Sequence, residues 1–321
     1  KDAQKGVKDA EATVADAQTA FKNATKADAD RDQAIKSAET DVNTKNDAVK
    51  LAKDKLTRAN QHAESVDAKL QTAQDELTKA QDALKHVDVV DIQNPTIPLS
   101  DEERQAIGAF SNNITFKEAY ELWRKNDNAT TREILNASAV RVTETSTIKI
   151  SDADKNRPID LNNLTDDQLV EISQFYAKML TQLKHNFGQN SSKNVQTTQK
   201  ILEHSKSVAK KYEERALDPN VAGHIQGGLE NLTPFGDGHD FKTMYDLKYG
   251  VKRTFELTSF EDEPSKWEHL RNNLSNENSK TVALTVANIN GKYWMITTFG
   301  SLYNFDNDTV IEDKTDIASL E

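Results

Sequence analysis

"LTDDQLVEISQFYAKMLTQLKHNFG", residues 164–188, is the stretch that decides the fold of this chain. Thr165 offers the hydroxyl that a helix N-cap requires, and Gly188 supplies a stop at the other end. Between them, large apolar side chains recur every three or four residues, at Leu169, Ile172, Tyr176, Met179, Leu183 and Phe187. This spacing predicts an amphipathic helix that packs one face against a core.

Downstream of this helix, the sequence predicts two more helices and a β-hairpin. The helices are expected at about residues 194–216 and 241–259, the second with a weaker pattern. Two β-rich runs follow in "KTVALTVANINGKYWMITTF", residues 280–299, and Asn290-Gly291 between them is a strong hairpin signal. Helices followed by an antiparallel hairpin predict a layered domain of the α+β class.

Upstream, residues 89–159 are expected to form a linker and an accessory region that packs on the head. Ser100, with Glu103 three residues later, predicts a capped short helix, and "TFKEAYELWRKN" (115–126) places three aromatic side chains on one helical face. The stretch "AVRVTETSTIKI" (139–150) alternates in the manner of a strand. The expected divisions are therefore 1–88, 89–159 and 160–321.

Residues 1–88 show an apolar repeat of seven. One set of positions, the a positions, is Val7, Val14, Phe21, Asp28, Ile35, Val42, Val49, Leu56, Ala63, Leu70, Leu77 and Leu84, and the d positions, from Ala10 to Val87, are mostly alanine. The pattern predicts a coiled-coil stalk about 120 Å long, interrupted at Asp28, Arg31 and Lys45. A coiled coil needs a partner, so we expect a homodimer, or a returning helix, through residues 7–87.

The composition excludes several functions. The 321 residues carry a net charge of -11, nearly all of it beyond residue 85, which disfavours binding to nucleic acid. Without cysteine there are no disulfides, thiolate metal sites or cysteine nucleophiles. No apolar run approaches the ~20 residues that cross a bilayer, so we expect no membrane insertion; any export signal or wall anchor would lie outside this sequence.

"HIQGGLENL", residues 224–232, contains the candidate functional residues His224 and Glu230. His224, His239 and His269 fall in or near predicted loops. Two imidazoles with one or two carboxylates can hold Zn²⁺ or another divalent cation, or act as acid and base. They can equally form a buried polar cluster that only frames the fold. Gly227 and Gly228 are expected to let the chain turn so that Glu230 faces His224.

Taken in order, these features resemble those of the CAP superfamily, the cysteine-rich secretory, antigen 5 and pathogenesis-related proteins. The matching pieces are "IDLNNLTDDQLVEISQFYAKMLTQLKHNFG", "GH" at 223–224, "ENL" at 230–232, and "KWEHL" (266–270) before the β-rich runs. With its Ala-rich repeat in front, the chain resembles the surface-exclusion proteins of Gram-positive conjugative plasmids. The resemblance implies an α-β-α sandwich, CAP-like, carried on the coiled-coil stalk.

The resemblance also implies a cleft of two histidines and two acids. His224, Glu230 and His269 match three of these positions; Glu256 is the expected second acid, with Glu261 next. Glu268 stands where the family usually has glycine, which adds a negative charge beside the cleft. Some CAP proteins bind divalent metal there, but no common reaction follows from the fold, so we expect no required cofactor and lean against an enzyme.

For function, the resemblance implies an extracellular, wall-anchored protein that limits conjugative DNA transfer or mediates adhesion. Its partner would be a surface component of another cell or a host protein. The alternative is a metal-dependent hydrolase or protease, with His224 and His269 as ligands and Glu230 or Glu256 activating water.

Overall fold

The computed structural model describes residues 2–189, 194–225, 230–236, 238, 240–275, 280–300, 308–313 and 317–318. Gly227, Gly228 and His239 lie outside these residues. The chain divides into two compact units, residues 1–78 and residues 79–321. Within the described segments, no helix is both long enough and apolar enough to cross a membrane.

The first unit belongs to a single helix, α1, which runs from Asp2 to Leu84. None of its residues is buried. The large apolar side chains of the seven-residue repeat are exposed: Phe21 by 76%, Val49 by 53% and Leu70 by 56%. The prediction of a continuous helix is confirmed. The row of exposed apolar side chains is the surface through which pairing was predicted.

The second unit begins with short elements. They are β1 (Asp88–Asp91), β2 (Thr96–Pro98), α2 (Asp101–Ile107), β3 (Asn113–Thr115), α3 (Phe116–Lys125), α4 (Ala129–Thr145) and β4 (Thr147–Lys149). Strands β2 and β3 pair antiparallel, and β1 pairs with β4. Ser100 caps α2 in the predicted box, because its hydroxyl accepts from the Glu103 amide and Glu103 accepts from the Ser100 amide.

The strand predicted over residues 139–150 is wrong for most of that stretch. Residues 139–145 complete α4, and only residues 147–149 form a strand. Asn128 fixes the start of the helix, since its side chain accepts from the Thr131 amide at 3.0 Å. Ile134, Ala139 and Val142 then fall on the buried face, and burying that face outweighs the local preference of β-branched residues for strands.

The remaining elements form the head. They are α5 (Asp166–Asn186), α6 (Gln199–Arg215), α7 (Pro219–Ala222), β5 (Glu230–Gly236), α8 (Met244–Ser259), α9 (Glu268–Asn273), β6 (Val282–Ile289), β7 (Lys292–Phe299) and β8 (Ile317–Ala318). The predicted helix after Thr165 is confirmed, with Thr165 accepting from the Gln168 amide. Helix α6 starts five residues later than predicted, because residues 194–198 are extended and Gln196 bridges to Thr281.

The head sheet has the order β5-β7-β6, and both pairings are antiparallel. Asn290 and Gly291 turn the β6–β7 hairpin with φ of 53° and 82°, as predicted. Helix α6 packs on one face of the sheet through Val208 and Tyr212, and α5 and α8 pack on the other. The head therefore has the predicted helix, sheet and helix layers. β8 lies apart from this sheet and pairs in parallel with β1.

A buried group of charges joins the accessory region to the head. Lys248 on α8 contacts Asp88 on β1, Asp154 in a 3₁₀ turn (Asp152–Asn156) and Glu171 on α5. Three segments far apart in the sequence therefore meet at one lysine. Residues 79–321 contain one continuous core in addition to the smaller cluster beneath α6.

Candidate functional site: two histidine–carboxylate pairs

The first pair consists of His224 and Glu230. Their Nδ1 and Oε1 atoms lie 3.3 Å apart; the His224 side chain is 37% exposed and that of Glu230 is fully buried. Helix α7 ends at Gly223, whose positive φ of 71° redirects the chain so that His224 faces the start of β5. An imidazole at the surface is thereby held against a carboxylate inside the protein.

Tyr212 of α6 completes the surroundings of Glu230. Its hydroxyl donates to Oε1 of Glu230 and accepts from the Ile225 amide at 2.8 Å, and that amide also donates to Oε1 at 3.1 Å. Burial and the neighbouring Glu230 raise the pKa of Tyr212 well above its usual range, so the hydroxyl stays a donor. These donors offset the desolvation of the carboxylate.

His204 also lies on α6, and the charge of the same carboxylate acts on its pKa. Burial lowers the pKa of His204, as does the charge of Lys211, while the charge of Glu230 opposes both. The electrostatic influence of Glu230 therefore reaches a second imidazole.

The second pair consists of His269 and Asp262. Nδ1 of His269 lies 2.7 Å from Oδ1 of Asp262, with side chains 24% and 1% exposed. Oδ2 of Asp262 accepts from the Leu270 amide at 2.8 Å, and Ser265 donates to Oδ1. The chain between the two residues folds back because Lys266 and Trp267 both have positive φ, 55° and 58°.

Both carboxylates contact Nδ1, which orients the ring and leaves Nε2 for a ligand or a proton. For neither imidazole does a described residue hydrogen-bond to Nε2. Each pair can therefore bind an acceptor or donor from solvent or from a partner.

Strand β5 separates the two pairs. Successive side chains of a strand point to opposite faces, so Glu230 faces α6, while Asn231 faces the layer of α5 and α8. Asn231 donates to the carbonyl of His269 at 3.3 Å and to the side chain of Asn273 at 3.1 Å, and it accepts from Asn272 at 3.0 Å. The "EN" dipeptide thus positions one pair on each side of the sheet.

A buried polar network anchors the helix that carries His269. Asn273 accepts from Tyr176 at 3.1 Å, and its amide donates to Ser259 at 3.0 Å and to Thr258 at 3.3 Å. Burial raises the pKa of Tyr176 to about 12, although its hydrogen bonds work against the rise. The network fixes α9, a helix of six residues, against α5 and α8.

The structure does not bring Glu256 or Glu261 to either pair. Glu256 lies beside Phe260 and Ser146 in a small cavity and contacts Lys252 and Arg253 of its own helix. Glu261 makes a two-pronged ion pair with Arg253 at 2.5 and 2.7 Å, which lowers the pKa of its carboxyl. The carboxylate that contacts His269 is Asp262, which the sequence did not single out.

Glu268, expected beside the cleft, is exposed and pairs with Arg271 at 3.1 Å. Among the residues that the structure describes, no group of three or more histidine, aspartate or glutamate side chains is arranged to hold a metal ion. The two pairs offer one imidazole and one carboxylate each, which is fewer protein ligands than zinc sites use.

The chain was compared with known families, curated proteins and solved structures. No family model matches the chain, and no curated protein matches it. Among solved structures, the chain is similar to the CAP domain of Enterococcal PrgA. The likeness covers 62% of this chain and 88% of that domain, at 16% identity and a TM-score of 0.43.

Sequence reasoning missed Asp262 and Tyr212. Asp262 precedes His269 by seven residues, a spacing that brings side chains together only if the chain between them turns back. Tyr212 carries an ordinary signal, an apolar position on an amphipathic helix. Its hydroxyl reaches Glu230 only because α6 packs on β5.

Proposed function

We propose that this chain is a cell-surface interaction protein whose head is presented by a paired helical stalk. The observation that supports this most is α1: 83 residues of helix with no buried residue and a regular row of exposed apolar side chains. A helix of this composition is stabilised by association of its apolar row. An enzyme confined to the head would need no such extension.

The partner of the stalk is a second copy of the chain, aligned in parallel. Valine and leucine dominate the a positions and alanine the d positions, which permits close approach of two helices. The charges at Asp28, Arg31 and Lys45 set the register. The Asp28 and Arg31 side chains pair within one helix at 2.6 Å and remain about two-thirds exposed, available to a second copy.

A matched pair of variants tests the dimer. Val49 occupies an a position and Leu51 a c position outside the seam, and both are 53% exposed. In sedimentation equilibrium of the full chain, Val49→Lys should weaken the dimer, while Leu51→Lys should leave it unchanged. A monomeric wild type, or equal effects of both variants, would contradict the proposal.

The role of the head is to limit conjugative DNA transfer, or to mediate adhesion, by binding a component of another cell. This proposal is supported by the order of motifs from "LTDDQLVEISQFY" to "KWEHL", which resembles the order in surface-exclusion proteins. Recipient cells that display the full chain should receive a conjugative plasmid less often than cells that display none. His224→Ala with His269→Ala should restore transfer if the two pairs form the contact surface.

The control for that experiment is Glu268→Ala, which removes an exposed charge that the two pairs do not use. Equal transfer into displaying and non-displaying recipients would exclude the role in exclusion. Binding to cells in the same assay would then favour adhesion.

We further propose that the head works without a metal cofactor. Titration calorimetry of Zn²⁺ into the wild type and into the His224→Ala, His269→Ala double variant should give equal, negligible heats. A stoichiometric heat lost in the double variant would instead favour the metal-dependent hydrolase.

A further inference from the structure

Lys248 lies inside the protein against carboxylates of three segments that are far apart in the sequence. Its Nζ is 2.7 Å from Oδ2 of Asp88 and 2.6 Å from Oδ2 of Asp154, and all three side chains are no more than 4% exposed. Asp88 and Lys248 are 160 residues apart in the chain. An amine and a carboxyl buried at this distance are positioned for reaction with each other.

The charges around Lys248 do not balance if every carboxyl of the group is ionised. Arg157 and Glu171 form a two-pronged pair at 2.7 and 2.6 Å on the more exposed side of the group. Beneath them, the ammonium of Lys248 faces the carboxyls of Asp88 and Asp154 and also lies 2.6 Å from Oε1 of Glu171. Three carboxylates beside two cations are unfavourable, so one of them is expected to be neutral.

Asp88 is the carboxyl that fits the neutral role. Burial raises the pKa of Asp88, against the opposing charge of Lys248. Asp154 contacts Arg157 at 2.7 Å through its other oxygen. For Glu171 burial alone would raise the pKa, but Arg157 and Lys248 outweigh burial and lower it. The two aspartates therefore have different surroundings, because Asp88 contacts Lys248 whereas Asp154 contacts both Lys248 and Arg157.

The backbone also polarises the Asp88 carboxyl. The Ser151 amide donates to Oδ1 of Asp88 at 2.7 Å, opposite the oxygen that Lys248 contacts. A fixed N–H at this position stabilises negative charge that develops on Oδ1 when a nucleophile adds to the carboxyl carbon.

We propose that Lys248 and Asp88 form an intramolecular isopeptide bond, with Asp154 transferring the proton. Burial alone would lower the pKa of Lys248, but Asp88 and Glu171 raise it, so the amine starts protonated. It gives one proton to Asp154, and Nζ adds to Cγ of Asp88 as the Nζ–Cγ bond forms. Asp154 passes that proton to Oδ2, which already carries the proton of the neutral carboxyl, so the Cγ–Oδ2 bond breaks and Oδ2 leaves as water. Asp154 then takes the second proton that Nζ loses and ends protonated, and the amide nitrogen keeps one hydrogen. Nothing is oxidised or reduced, and no other reactant is needed.

The bond would join β1, which begins four residues after α1 ends, directly to α8 of the head. Mechanical force applied through α1 would then be transmitted to α8 by a covalent bond. The bond would add a covalent link to the hydrogen bonds that join β1 to β4 and to β8.

The mass of the intact, denatured full chain tests the proposal. The wild type should be lighter than its sequence by one water, and Asp88→Asn should be lighter by one ammonia, because the amide then leaves as NH₃. Lys248→Arg should have its full sequence mass. Lys252→Arg, one turn along α8 and paired only with Glu256 at 3.7 Å, is the matched control and should still lose water.

Peptide sequencing after proteolysis should then show the peptide of Asp88 linked to that of Lys248. A wild type that keeps its full sequence mass after prolonged incubation at neutral pH would overturn the proposal. So would a loss of water that maps to Asp154, to Glu171 or to a residue outside the group. These measurements use denatured protein, and the wild-type mass decides even if a variant fails to fold.

Discussion

Tyr212→Phe removes the hydroxyl that connects α6 to the first histidine–carboxylate pair. The ring of Tyr212 packs with Trp294 and Ile296 under α6, and phenylalanine fills the same space. The change therefore removes the hydrogen bond to Glu230, which is fully buried, and the one that the hydroxyl accepts from the Ile225 amide. The Ile225 amide keeps Oε1 of Glu230 as its acceptor at 3.1 Å, so no backbone donor is left without a partner.

The expected loss of stability follows from that arrangement. A hydrogen bond to a charged group contributes about 1.5–3 kcal/mol, and no further penalty from Ile225 is expected. We expect the free energy of unfolding to fall by about 2 kcal/mol. With a urea dependence of about 2–3 kcal/mol per molar, the unfolding midpoint moves down by a little under ~1 M.

Tryptophan fluorescence during urea unfolding measures this change, because all three tryptophans lie in residues 79–321 and α1 contributes none. Tyr249→Phe, at a position 54% exposed, is the control and should unfold with the wild type. A Tyr212→Phe midpoint within experimental error of the wild type would refute the argument that this hydroxyl offsets burial of Glu230.

Three further predictions concern the framework of the site. Asn273→Ala should lower the unfolding free energy by about 3 kcal/mol in urea titrations, because several buried groups lose a partner together; a loss below ~1 kcal/mol would contradict this. Burial lowers the pKa of Lys184 to about 8, so between that pH and 10.5 the unfolded chain binds more protons and wild-type stability should rise with pH. Lys184→Met should lack this rise in parallel titrations, and identical pH profiles would disprove the assignment. Thr165→Ala should cost about 1 kcal/mol in thermal unfolding through loss of the α5 cap, whereas Thr165→Ser should cost little.

The sequence predicted best those elements whose signals are local. The Thr165 cap, the apolar stripe behind it and the Asn290-Gly291 turn depend on residues within a few positions, and the structure confirms all three. Residues 139–150 show the limit of such reasoning. Their alternation suggested a strand, but the helix that starts after Asn128 continues through Thr145 because its buried face contacts the rest of the unit.

Site residues were harder to predict, because their contacts depend on turns and packing. His269 contacts Asp262 only because two successive residues, Lys266 and Trp267, adopt left-handed backbone angles. Neither residue type predicts that conformation. Glu256 was chosen by resemblance, yet its spacing of four from Lys252 already favoured a local ion pair. Contacts within a helix were accessible from sequence, whereas contacts across the sheet were not.

The alternation of Glu230 and Asn231 makes both pairs depend on the register of β5 against β7. A slip of one residue in this pairing would turn the glutamate to the side of α9 and bring the asparagine under Tyr212. Both pairs would lose their support in a single step, although no residue of either had been replaced. Substitutions at the two histidines change one pair at a time, but a change of register in β5 changes both.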